Sequence, residues 1–587
     1  MLHREIQAEL RRAVAAVVPD ADTGSVLVRP CPDAKFGDYQ CNALIGLAKQ
    51  RKLNPRQLAT DVLAQLDVSP WCEPVDVAGA GFLNFRLKPA AVGKSLAAAA
   101  RGEHLFFTPA SEPRTVVIDF SSPNVAKPMH VGHIRSTILG DSLARVLRLL
   151  GHRVVTDNHI GDWGTQFGML LHGWKTGLDR AALDADPIAE LERLYKTINT
   201  ACDADASVRE LAKAELVKLQ SGDETNLGIW REMQRLSQAQ FDAIYARLGV
   251  KFDHTHGESF YNPRLKAVVE DLKSRGLARE SEGALCIFSD GTLPPKDDPF
   301  QIQRDGQWQA NPWLVQKSDG GFNYATTDLA TVAFRLETWQ PDEVIYVTDG
   351  RQQLHFRQLF NAFRRWHPGA KVRLAHVWFG SVLGEDGKPF KARSGESVKL
   401  ADLLDEAEER ALKVVSEKNP ELPDARRREI ARVVGIGAVK YADLLPNRQT
   451  DYVFSWDRML SLNGSTAPYL QYAATRIRSI FRKCRENSEC GIRNAECSVT
   501  EPAELALAKR LLNFGLALEA VAEEHRPNFL CNYLYELAGD FTRFYEVCPV
   551  LKAEGAVRES RLALCGLTGR VLEQGLGVLG IEAPEQM

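Results

Sequence analysis

The chain has 587 residues, enough for about three to four domains, and its 44% of hydrophobic residues can fill several cores. Its formal net charge of −3 excludes a uniformly basic surface, so any surface that binds nucleic acid must be local. No segment reaches the ~20 apolar residues of a membrane span, and the N-terminal helix lacks a signal-peptide core, so we expect a soluble, cytoplasmic protein.

The cysteines are scattered along the sequence. Cys484, Cys490 and Cys497 come closest to a cluster, but they lack paired C-x-x-C spacing and a nearby histidine. We therefore expect the 11 cysteines to be free thiols in a reducing compartment, and we predict no protein-bound metal site.

The first 107 residues predict a small α/β domain. Apolar residues recur at helical spacing up to Val17 and predict an amphipathic first helix. The elements expected after it are a strand at Ser25–Val28, helices near Asn42–Lys52 and Pro55–Leu66, and a strand at Gly81–Leu87.

The segment around residue 130 predicts a strand, a turn and a helix. Thr115–Asp119 is apolar and β-branched, as in a buried strand, and a helical pattern follows as far as Gly151. The turn between them contains His130-Val131-Gly132-His133. Such a turn lies where parallel sheets bind ligands, and a helix N-terminus offers amides and a positive dipole end to phosphate. Two imidazoles three residues apart share one helix face, which favours a site for ATP phosphates. A pair of surface histidines is the alternative.

The next predicted elements are a strand at Arg153–Thr156 and a loop containing Gly161-Asp162-Trp163-Gly164. The composition of this loop suggests a tight functional turn at the next strand end, although a purely structural turn would fit too. Residues 180–300 are polar, and we interpret them as a helical insertion between two halves of a nucleotide-binding fold.

Tyr324 and Asp328 lie four residues apart at the start of a predicted helix, so both side chains can reach one pocket. A phenol ring and a carboxylate suit a guanidinium group, because the carboxylate accepts two parallel N–H donors. Alternatively, Asp328 is an ordinary acidic residue in the first turn of a helix. A strand at Val344–Val347 and the loop 349–355 follow, and then a strand at Arg373–Val382.

From Leu400 onward the pattern is helical, with segments at 403–417, 425–444, 466–486, 501–524, 527–547 and 557–580. The third segment carries Tyr469, Tyr472 and five basic residues without an acid: Arg476, Arg478, Arg482, Lys483 and Arg485. Cations for phosphate and rings for unstacked bases suit single-stranded RNA. A solvated basic helix face is the alternative.

Several strings along the chain, SSPNVAKPMHVGHIRST, FGDYQCNALIGLAK, GAGFLNFRL, FKARSG and TAPYLQYA, resemble bacterial arginyl-tRNA synthetases, a family of class I aminoacyl-tRNA synthetases. The resemblance extends over nearly the whole sequence, and HVGH resembles the HIGH signature of the class. It implies a multidomain α/β protein made of a D-loop-binding domain at 1–107, a class I Rossmann-like catalytic domain at 108–400 and an all-α region at 401–587. The anticodon-binding bundle would occupy about 463–587.

The same resemblance implies that ATP, with Mg²⁺, activates L-arginine and that a monomer transfers the arginyl group to tRNA(Arg). ATP would be held by His130, Gly132, His133, Lys127 and His355. Arginine would be held by Asp119, Ser121, Asn124, Tyr324, Asp328 and Gln352, with Gln353 as the alternative register. tRNA would be contacted by Phe82, Asn84, Tyr469, Tyr472, Arg476, Tyr545 and Met587. A class I enzyme for another amino acid and a catalytically inactive relative are the rival interpretations.

The string FKARSG departs from the KMSKS pattern of class I enzymes, because Ala392 occupies the position of the second lysine. The transition state still requires a cation for its extra negative charge. The resemblance implies that Lys127 supplies this cation, with Lys391 and Arg393 as possible contributors.

Overall fold

A computed structural model of the chain describes residues 1–390, 398–486 and 497–587. The chain forms two compact units. Residues 1–110, 419–422 and 460–587 form one, the terminal unit, and residues 111–418 and 423–459 form the other, the central unit. The first and last segments of the chain therefore fold together.

The N-terminal part of the terminal unit contains a four-stranded antiparallel sheet with the strand order β1-β2-β4-β3. Its elements are α1 (Leu2–Val17), β1 (Arg29–Pro30), β2 (Tyr39–Cys41), α2 (Ala43–Arg51), α3 (Pro55–Leu63), β3 (Asp76–Ala78), β4 (Phe82–Phe85) and α4 (Pro89–Ala100).

The predicted strand at Ser25–Val28 is wrong. Thr23–Ser25 forms a 3₁₀ turn, and strand pairing begins only at Arg29. Val26 and Val28 are buried, which explains the strand-like pattern. However, backbone groups of this segment form hydrogen bonds with side chains of α1 and not with another described strand. Gln7 accepts a hydrogen bond from the Val28 N–H at 3.0 Å, and Arg11 donates to the Val26 carbonyl at 3.0 Å.

The central unit is an α/β structure. Its strands are β5 (Thr115–Asp119), β6 (Arg153–Asn158), β7 (His254–Thr255), β8 (Ala278–Ser281), β9 (Ala284–Ile287), β10 (Gln301–Arg304), β11 (Gln307–Ala310), β12 (Trp313–Gln316), β13 (Glu343–Tyr346), β14 (Arg373–His376), β15 (Val382–Leu383) and β16 (Tyr452–Val453). Its helices are α5 (Val131–Leu149), α6 (Gln166–Gly177), α7 (Arg180–Ala185), α8 (Pro187–Ala204), α9 (Ala206–Gln220), α10 (Glu224–Leu248), α11 (Asn262–Ser274), α12 (Tyr324–Trp339), α13 (Gln353–Trp366), α14 (Leu400–Lys418), α15 (Asp424–Leu444) and α16 (Trp456–Met459).

A five-stranded parallel sheet with the order β14-β13-β5-β6-β7 organises this unit. After β5 the chain continues to β6 on one side, and β13 pairs with β5 on the other. The strand order therefore reverses at β5, and ligands bind in α/β sheets outside the carboxyl ends of strands at such a point. The predicted parallel sheet is confirmed, and the turn after β5 lies at its reversal.

After α10 ends at Leu248 the chain returns to the parallel sheet at β7, and strands follow α11, so the expectation of a helical stretch to about residue 300 is wrong. β8 and β9 form a hairpin whose two turn residues, Glu282 and Gly283, have φ values of 51° and 76°. Two residues with positive φ make the turn type that matches strand twist in a two-residue hairpin. β9 also pairs with β12, and β10 pairs with β11.

The C-terminal part of the terminal unit is helical: α17 (Ala467–Glu486), α18 (Pro502–Leu512), α19 (Phe514–Glu524), α20 (Asn528–Val547) and α21 (Gly555–Val578). The predicted single segment 501–524 is two helices that meet at Asn513. Asn513 accepts a hydrogen bond from the Tyr39 hydroxyl at 3.0 Å, and a Cβ on Gly515 would come within 2.5 Å of the Phe106 carbonyl oxygen. The helix is therefore interrupted where it contacts the N-terminal segment.

Candidate functional site

The turn between β5 and α5 is conformationally strained. Ser121, Ser122 and Ala126 have φ values of 75°, 49° and 61°, in the left-handed region that residues with a Cβ rarely adopt. The Ser136 hydroxyl of α5 accepts a hydrogen bond from the Ser121 N–H at 2.8 Å and holds the turn in this form. Strained backbone that the surrounding structure holds in place is concentrated at functional sites. The backbone geometry of this turn therefore makes it a candidate functional site.

The two histidines of the HVGH segment hold each other at the start of α5. His130 Nδ1 accepts a hydrogen bond from the Gly132 N–H, and His133 Nδ1 accepts one from the His130 N–H, each at 3.0 Å. The ring centroids are 4.0 Å apart. A Cβ on Gly132 would lie 2.8 Å from the His130 ring, so glycine is needed for this contact. The predicted common face of the two imidazoles is confirmed.

Both imidazoles are neutral donors. Burial lowers the pKa of His133 to about 3, with a further contribution from His130. Burial and the Arg351 guanidinium lower the pKa of His130. Since each Nδ1 accepts a hydrogen bond, each neutral ring carries its proton on Nε2. The pair can donate two hydrogen bonds to phosphate oxygens but supplies no positive charge, so a cation must come from elsewhere.

Lys127 is placed as a candidate for this cation. It lies three residues before His130, is half-buried, and its Nζ is 4.7 Å from the ring centroid of Tyr195 on α8. An aromatic face holds an ammonium group in place without neutralising it. Lys391 and Arg393, the other two predicted cations, lie outside the described residues.

Two described residues that flank this part of the sequence, Gly380 and Val398, are hydrogen-bonded to α5. On the C-terminal side, the Val131 N–H donates to the Val398 carbonyl at 2.9 Å. On the N-terminal side, Arg135 Nη1 donates to the Gly380 carbonyl at 2.7 Å. Arg135 is itself buried against Asp443, with Nε and Oδ1 3.0 Å apart. The helix that begins with HVGH therefore contacts described residues that come before and after positions 391–397 in the sequence.

Tyr324 and Asp328 at the start of α12 lie close to His355 in the first turn of α13, the helix that follows β13. Asp328 Oδ2 lies 2.6 Å from His355 Nε2, and the Tyr324 ring lies 5.1 Å from the His355 ring in an edge-on arrangement. Tyr324 is 64% exposed, so its ring and hydroxyl are available to a ligand. His355, predicted on the ATP side, is thus a neighbour of the predicted guanidinium ligand. Gln352 and Gln353 are both exposed at the start of α13, and the choice between them stays open.

Glu258 is a further carboxylate close enough to Asp328 to be affected by its charge, and sequence reasoning missed it. Burial and then the carboxylates of Asp328 and Asp162 raise the pKa of Glu258 to about 8. Its backbone N–H donates to the Ile160 carbonyl at 3.1 Å, just before the GDWG loop. A cation bound near both carboxylates would favour the ionised form of Glu258 and lower this pKa. The residue is about 70 positions from Asp328 in the sequence, and no local pattern marks it.

The GDWG loop fixes the segment that carries Glu258. Asp162 is buried and accepts hydrogen bonds from the Ser259 N–H at 2.8 Å and the Ser259 hydroxyl at 2.6 Å. A Cβ on Gly257 would collide with the Asp162 carboxylate, so only glycine allows this approach. The loop thus positions an acidic residue of the pocket, which gives the predicted functional turn a structural explanation.

The residues predicted to bind the α-amino group differ in how many of their polar atoms are already engaged in hydrogen bonds within the protein. Asp119 Oδ2 accepts a hydrogen bond from Arg335 at 2.7 Å, and Oδ1 accepts one from the Ser122 hydroxyl at 3.2 Å. The Ser121 hydroxyl is buried and bonded to the hydroxyl of Tyr245 at 2.7 Å. Asn124 is exposed. In this state Oδ1 of Asp119 and the Asn124 amide have capacity for a ligand, whereas Ser121 contributes packing.

The predicted RNA contacts of the helical region lie on α17 and α20. The Arg476 guanidinium is 4.4 Å from the ring centroid of Tyr545, and the rings of Tyr469 and Tyr535 are 5.7 Å apart. Tyr472 is exposed and Met587 is half-buried. Aromatic faces beside a cation suit unstacked bases.

In the N-terminal sheet the predicted contacts are less accessible. Asn84 is only 8% exposed, in the interior strand β4, with Gln40 and Asp76 as its cross-strand partners. Phe82 begins the same strand and is half-buried. A base could reach the edge of Phe82 more readily than the Asn84 amide, and both assignments stay predictions.

The described residues contain neither a cluster of metal-binding side chains nor a membrane-spanning helix. Within the described ranges, no three or more His, Cys, Asp or Glu side chains are grouped so that they could hold a metal ion. None of the described helices is long and apolar enough to cross a membrane.

Three family models together match most of the chain. Residues 2–87 match the arginyl-tRNA synthetase N-terminal domain, residues 97–456 match the catalytic domain of class I (R) tRNA synthetases, and residues 470–587 match the DALR anticodon-binding domain. The predicted fold class, a class I catalytic domain with a small N-terminal domain and a helical C-terminal domain, is confirmed.

Relatives of known name match over the full length. The arginine–tRNA ligase of Chromobacterium violaceum is 46% identical, with 100% of each chain covered, and that of Laribacter hongkongensis is 45% identical, with 100% of this chain and 99% of the relative covered. Among solved structures, the arginyl-tRNA synthetase of Thermus thermophilus covers 100% of both chains at 27% identity with a TM-score of 0.83. That of Plasmodium falciparum covers 100% of this chain and 99% of its own at 29% identity with a TM-score of 0.81. The chain belongs to the arginyl-tRNA synthetase family of class I aminoacyl-tRNA synthetases.

Proposed function

We propose that the chain is an arginine–tRNA ligase, which activates L-arginine with ATP and transfers it to the 3′-end of tRNA(Arg) for translation. The observation that carries this proposal is the similarity to named arginine–tRNA ligases over the whole length of the chain. The carboxylate of Asp328, with that of Glu258 close enough to be affected by its charge, and the exposed Tyr324 four residues before Asp328 are consistent with this proposal, since carboxylates beside a phenol ring suit a guanidinium better than a neutral side chain.

In the first step an oxygen of the arginine carboxylate attacks the α-phosphorus of Mg·ATP, and the bond from that phosphorus to the bridging oxygen of pyrophosphate breaks. In the second step a ribose hydroxyl of the terminal adenosine attacks the activated carbonyl, and AMP leaves. Neither step requires a protein nucleophile, so positioning and electrostatic stabilisation carry the catalysis. Mg²⁺ is part of the nucleotide substrate in this scheme, because Mg²⁺ is commonly bound through substrate phosphates.

On the nucleotide side, the N-terminus of α5 and the Nε2–H groups of His130 and His133 would donate to phosphate oxygens. Gly132 would let the phosphates approach the helix backbone. Lys127 would supply the positive charge that the neutral imidazoles lack, with Lys391 and Arg393 as further candidates. Preorganised donors and charges of this kind stabilise the pentacovalent phosphorus more than the ground state.

On the amino-acid side, Asp328 and Glu258 would pair with the guanidinium, and Tyr324 and Gln352 would complete its pocket. Asp119 and Asn124 would accept hydrogen bonds from the α-amino group. Because each carboxylate can accept two parallel N–H donors, arginine should be preferred over lysine, which presents a single ammonium group.

For tRNA, we propose that Tyr469, Tyr472, Arg476, Tyr545 and Met587 contact the anticodon loop and that Phe82 and Asn84 contact the D-loop. We further propose a monomer that acts in the cytoplasm, where its three substrates meet. The paired rings and guanidinium of α17 and α20 support the first assignment, because stacking needs flat faces beside a cation.

Pyrophosphate exchange into ATP, measured for each of the amino acids with and without tRNA(Arg), tests the proposal. Among the amino acids, only arginine should support exchange and aminoacylation. Exchange with a different amino acid would instead indicate a class I enzyme of other specificity. No exchange and no aminoacylation with any amino acid, by a folded protein that still binds tRNA, would indicate an inactive relative.

A further inference from the structure

Arg335 lies under the proposed arginine pocket and is completely buried. It belongs to α12, seven residues after Asp328, so both residues lie on nearly the same face of the helix, two turns apart. Its Nη2 donates to Asp119 Oδ2 at 2.7 Å and to Asp157 Oδ2 at 2.8 Å, and its Nε lies 3.2 Å from the same Asp157 oxygen. One guanidinium therefore joins α12 to two neighbouring strands of the sheet.

The Arg335 guanidinium offsets part of the negative charge of the two carboxylates beside it. Burial alone would raise the pKa of Asp157, but the Arg335 guanidinium and His256 hold it below its usual range. His256 Nδ1 lies 3.0 Å from Asp157 Oδ1. Burial opposes the charge of Arg335, yet the carboxylates of Asp119 and Asp157 raise its pKa well above the usual value. Buried ions are tolerated when they are paired in this way.

The two elements that Arg335 joins, β5 and α12, carry the proposed ligands for the two ends of the arginine substrate. Asp119 is the last residue of β5 and a proposed ligand of the α-amino group. Tyr324 and Asp328 lie in the first turns of α12 and are proposed ligands of the guanidinium. With Asp119 Oδ2 occupied by Arg335, Oδ1 is the oxygen left for the substrate.

We propose that Arg335 is a positioning residue that fixes the distance between the α-amino end and the guanidinium end of the arginine site. It thereby sets the length of the amino acid that the enzyme accepts. The inference rests on the proposed function and adds a residue that touches no substrate. It also explains why a buried arginine is placed here, since an apolar side chain could fill the same space but could not hold two carboxylates in register.

Lysine at position 335 separates positioning from simple charge balance. Arg335→Lys keeps the positive charge, but its single ammonium on a flexible stem lacks the planar fork that spans both carboxylates. We expect the KM for arginine to rise about tenfold and the KM for ATP to change less than about twofold, because only one end of the site moves. The ratio of kcat/KM for arginine to that for homoarginine, one methylene longer, should fall by about fivefold or more.

A double variant distinguishes the loss of positioning from the loss of folding stability. Arg335→Met leaves two buried carboxylates without their cation, so it should be strongly destabilised. Adding Asp157→Asn removes one of those charges and should restore much of the thermal stability, while the KM for arginine stays raised because Asp119 is still unsupported. Arg561→Lys in the terminal unit is the control, since Arg561 forms a partly buried ion pair with Glu504 at 2.6 Å and its replacement should not alter the KM for arginine.

The measurements are thermal unfolding and arginine-dependent aminoacylation by the full-length chain, with tRNA(Arg) present throughout. A folded Arg335→Lys variant with wild-type KM and wild-type preference over homoarginine would overturn the inference. So would a double variant with wild-type KM for arginine, or equal increases in the KM for arginine and for ATP. An inactive wild-type protein would instead overturn the proposed function, so the two failures are distinguishable.

Discussion

Replacing Glu258 by glutamine should remove most of the pH dependence of arginine binding. In the free protein, burial and the neighbouring carboxylates raise the pKa of Glu258 to about 8, so the side chain is mostly protonated at pH 7. A guanidinium pairs with the ionised carboxylate, so arginine binding must expel this proton. Affinity should therefore increase as the pH rises and level off above pH 8.

The size of the effect follows from linkage. With a pKa of about 8, the dissociation constant for arginine should be about elevenfold higher at pH 7 than at its alkaline plateau, and about 100-fold higher at pH 6. Binding should release about 0.9 proton at pH 7 and about 0.1 at pH 9. Glu258→Gln should bind arginine more weakly at pH 9 and should release no proton at this site. The variant isolates Glu258 from the other titratable groups that face the pocket, Asp162, Asp328 and His355.

The same group affects stability in a defined direction. The folded-state pKa is raised above the unfolded value, so folding loses stability as the pH rises from about 4.5 to about 8. Glu258→Gln should therefore gain thermal stability over the wild type at pH 8 and lose that advantage near pH 4.

Isothermal titration of arginine, in buffers with different ionisation enthalpies at pH 7 and pH 9, counts the protons. Glu280→Gln, which alters an exposed carboxylate of the same unit, serves as the control and should behave as the wild type. Absence of proton release by the wild type at pH 7, or the same release by Glu258→Gln, would refute the reasoning.

Three further variants test other parts of the protein. Asp328→Asn should lower kcat/KM for arginine by about 10²-fold, about 3 kcal/mol, because the guanidinium loses a charged partner; near-normal arginine kinetics would remove Asp328 from the pocket. Lys127→Ala should lower the single-turnover rate of adenylate formation by about 10²–10³-fold and weaken ATP binding much less, whereas a rate within about threefold of wild type would leave the task to Lys391 or Arg393. Alanine at both Tyr469 and Arg476 should raise the KM for tRNA by about tenfold without affecting ATP binding, and an unchanged KM would mean that α17 does not contact the anticodon loop.

The parts of the site that sequence predicted depend on local signals. The β5–α5 turn was predicted because an apolar strand, an N-terminal histidine pair and a helical period follow one another within about 35 residues. Tyr324 and Asp328 were predicted for the same reason, since spacing of four on a helix requires no knowledge of the rest of the fold.

What sequence missed depends on contacts between distant segments. Arg335 and Asp119 are 216 residues apart, and only the packing of α12 on the sheet brings them together. The charge of Asp328 reaches Glu258 only in the folded chain, where the GDWG loop holds the segment of Glu258, and neither sequence segment carries a signal of the other. The misplaced strand at Ser25–Val28 has a related cause, because an apolar segment held by side chains of α1 has the same residue pattern as a strand.

The terminal unit is assembled from both ends of the chain, which sets an order of events during synthesis. Lys509 pairs with Asp38 at 2.8 Å and Tyr39 bonds to Asn513, so contacts of the first domain wait for residues made last. Roughly 350 residues separate the two segments, and at ~5–20 residues per second the ribosome needs about 20–70 s to add them. During that interval the N-terminal segment lacks the helices that cover it, while most of the central unit emerges. The contacts of the first domain with α18 and α19 are therefore completed last, and a nascent chain that has not reached these helices leaves the residues that they cover exposed to chaperones.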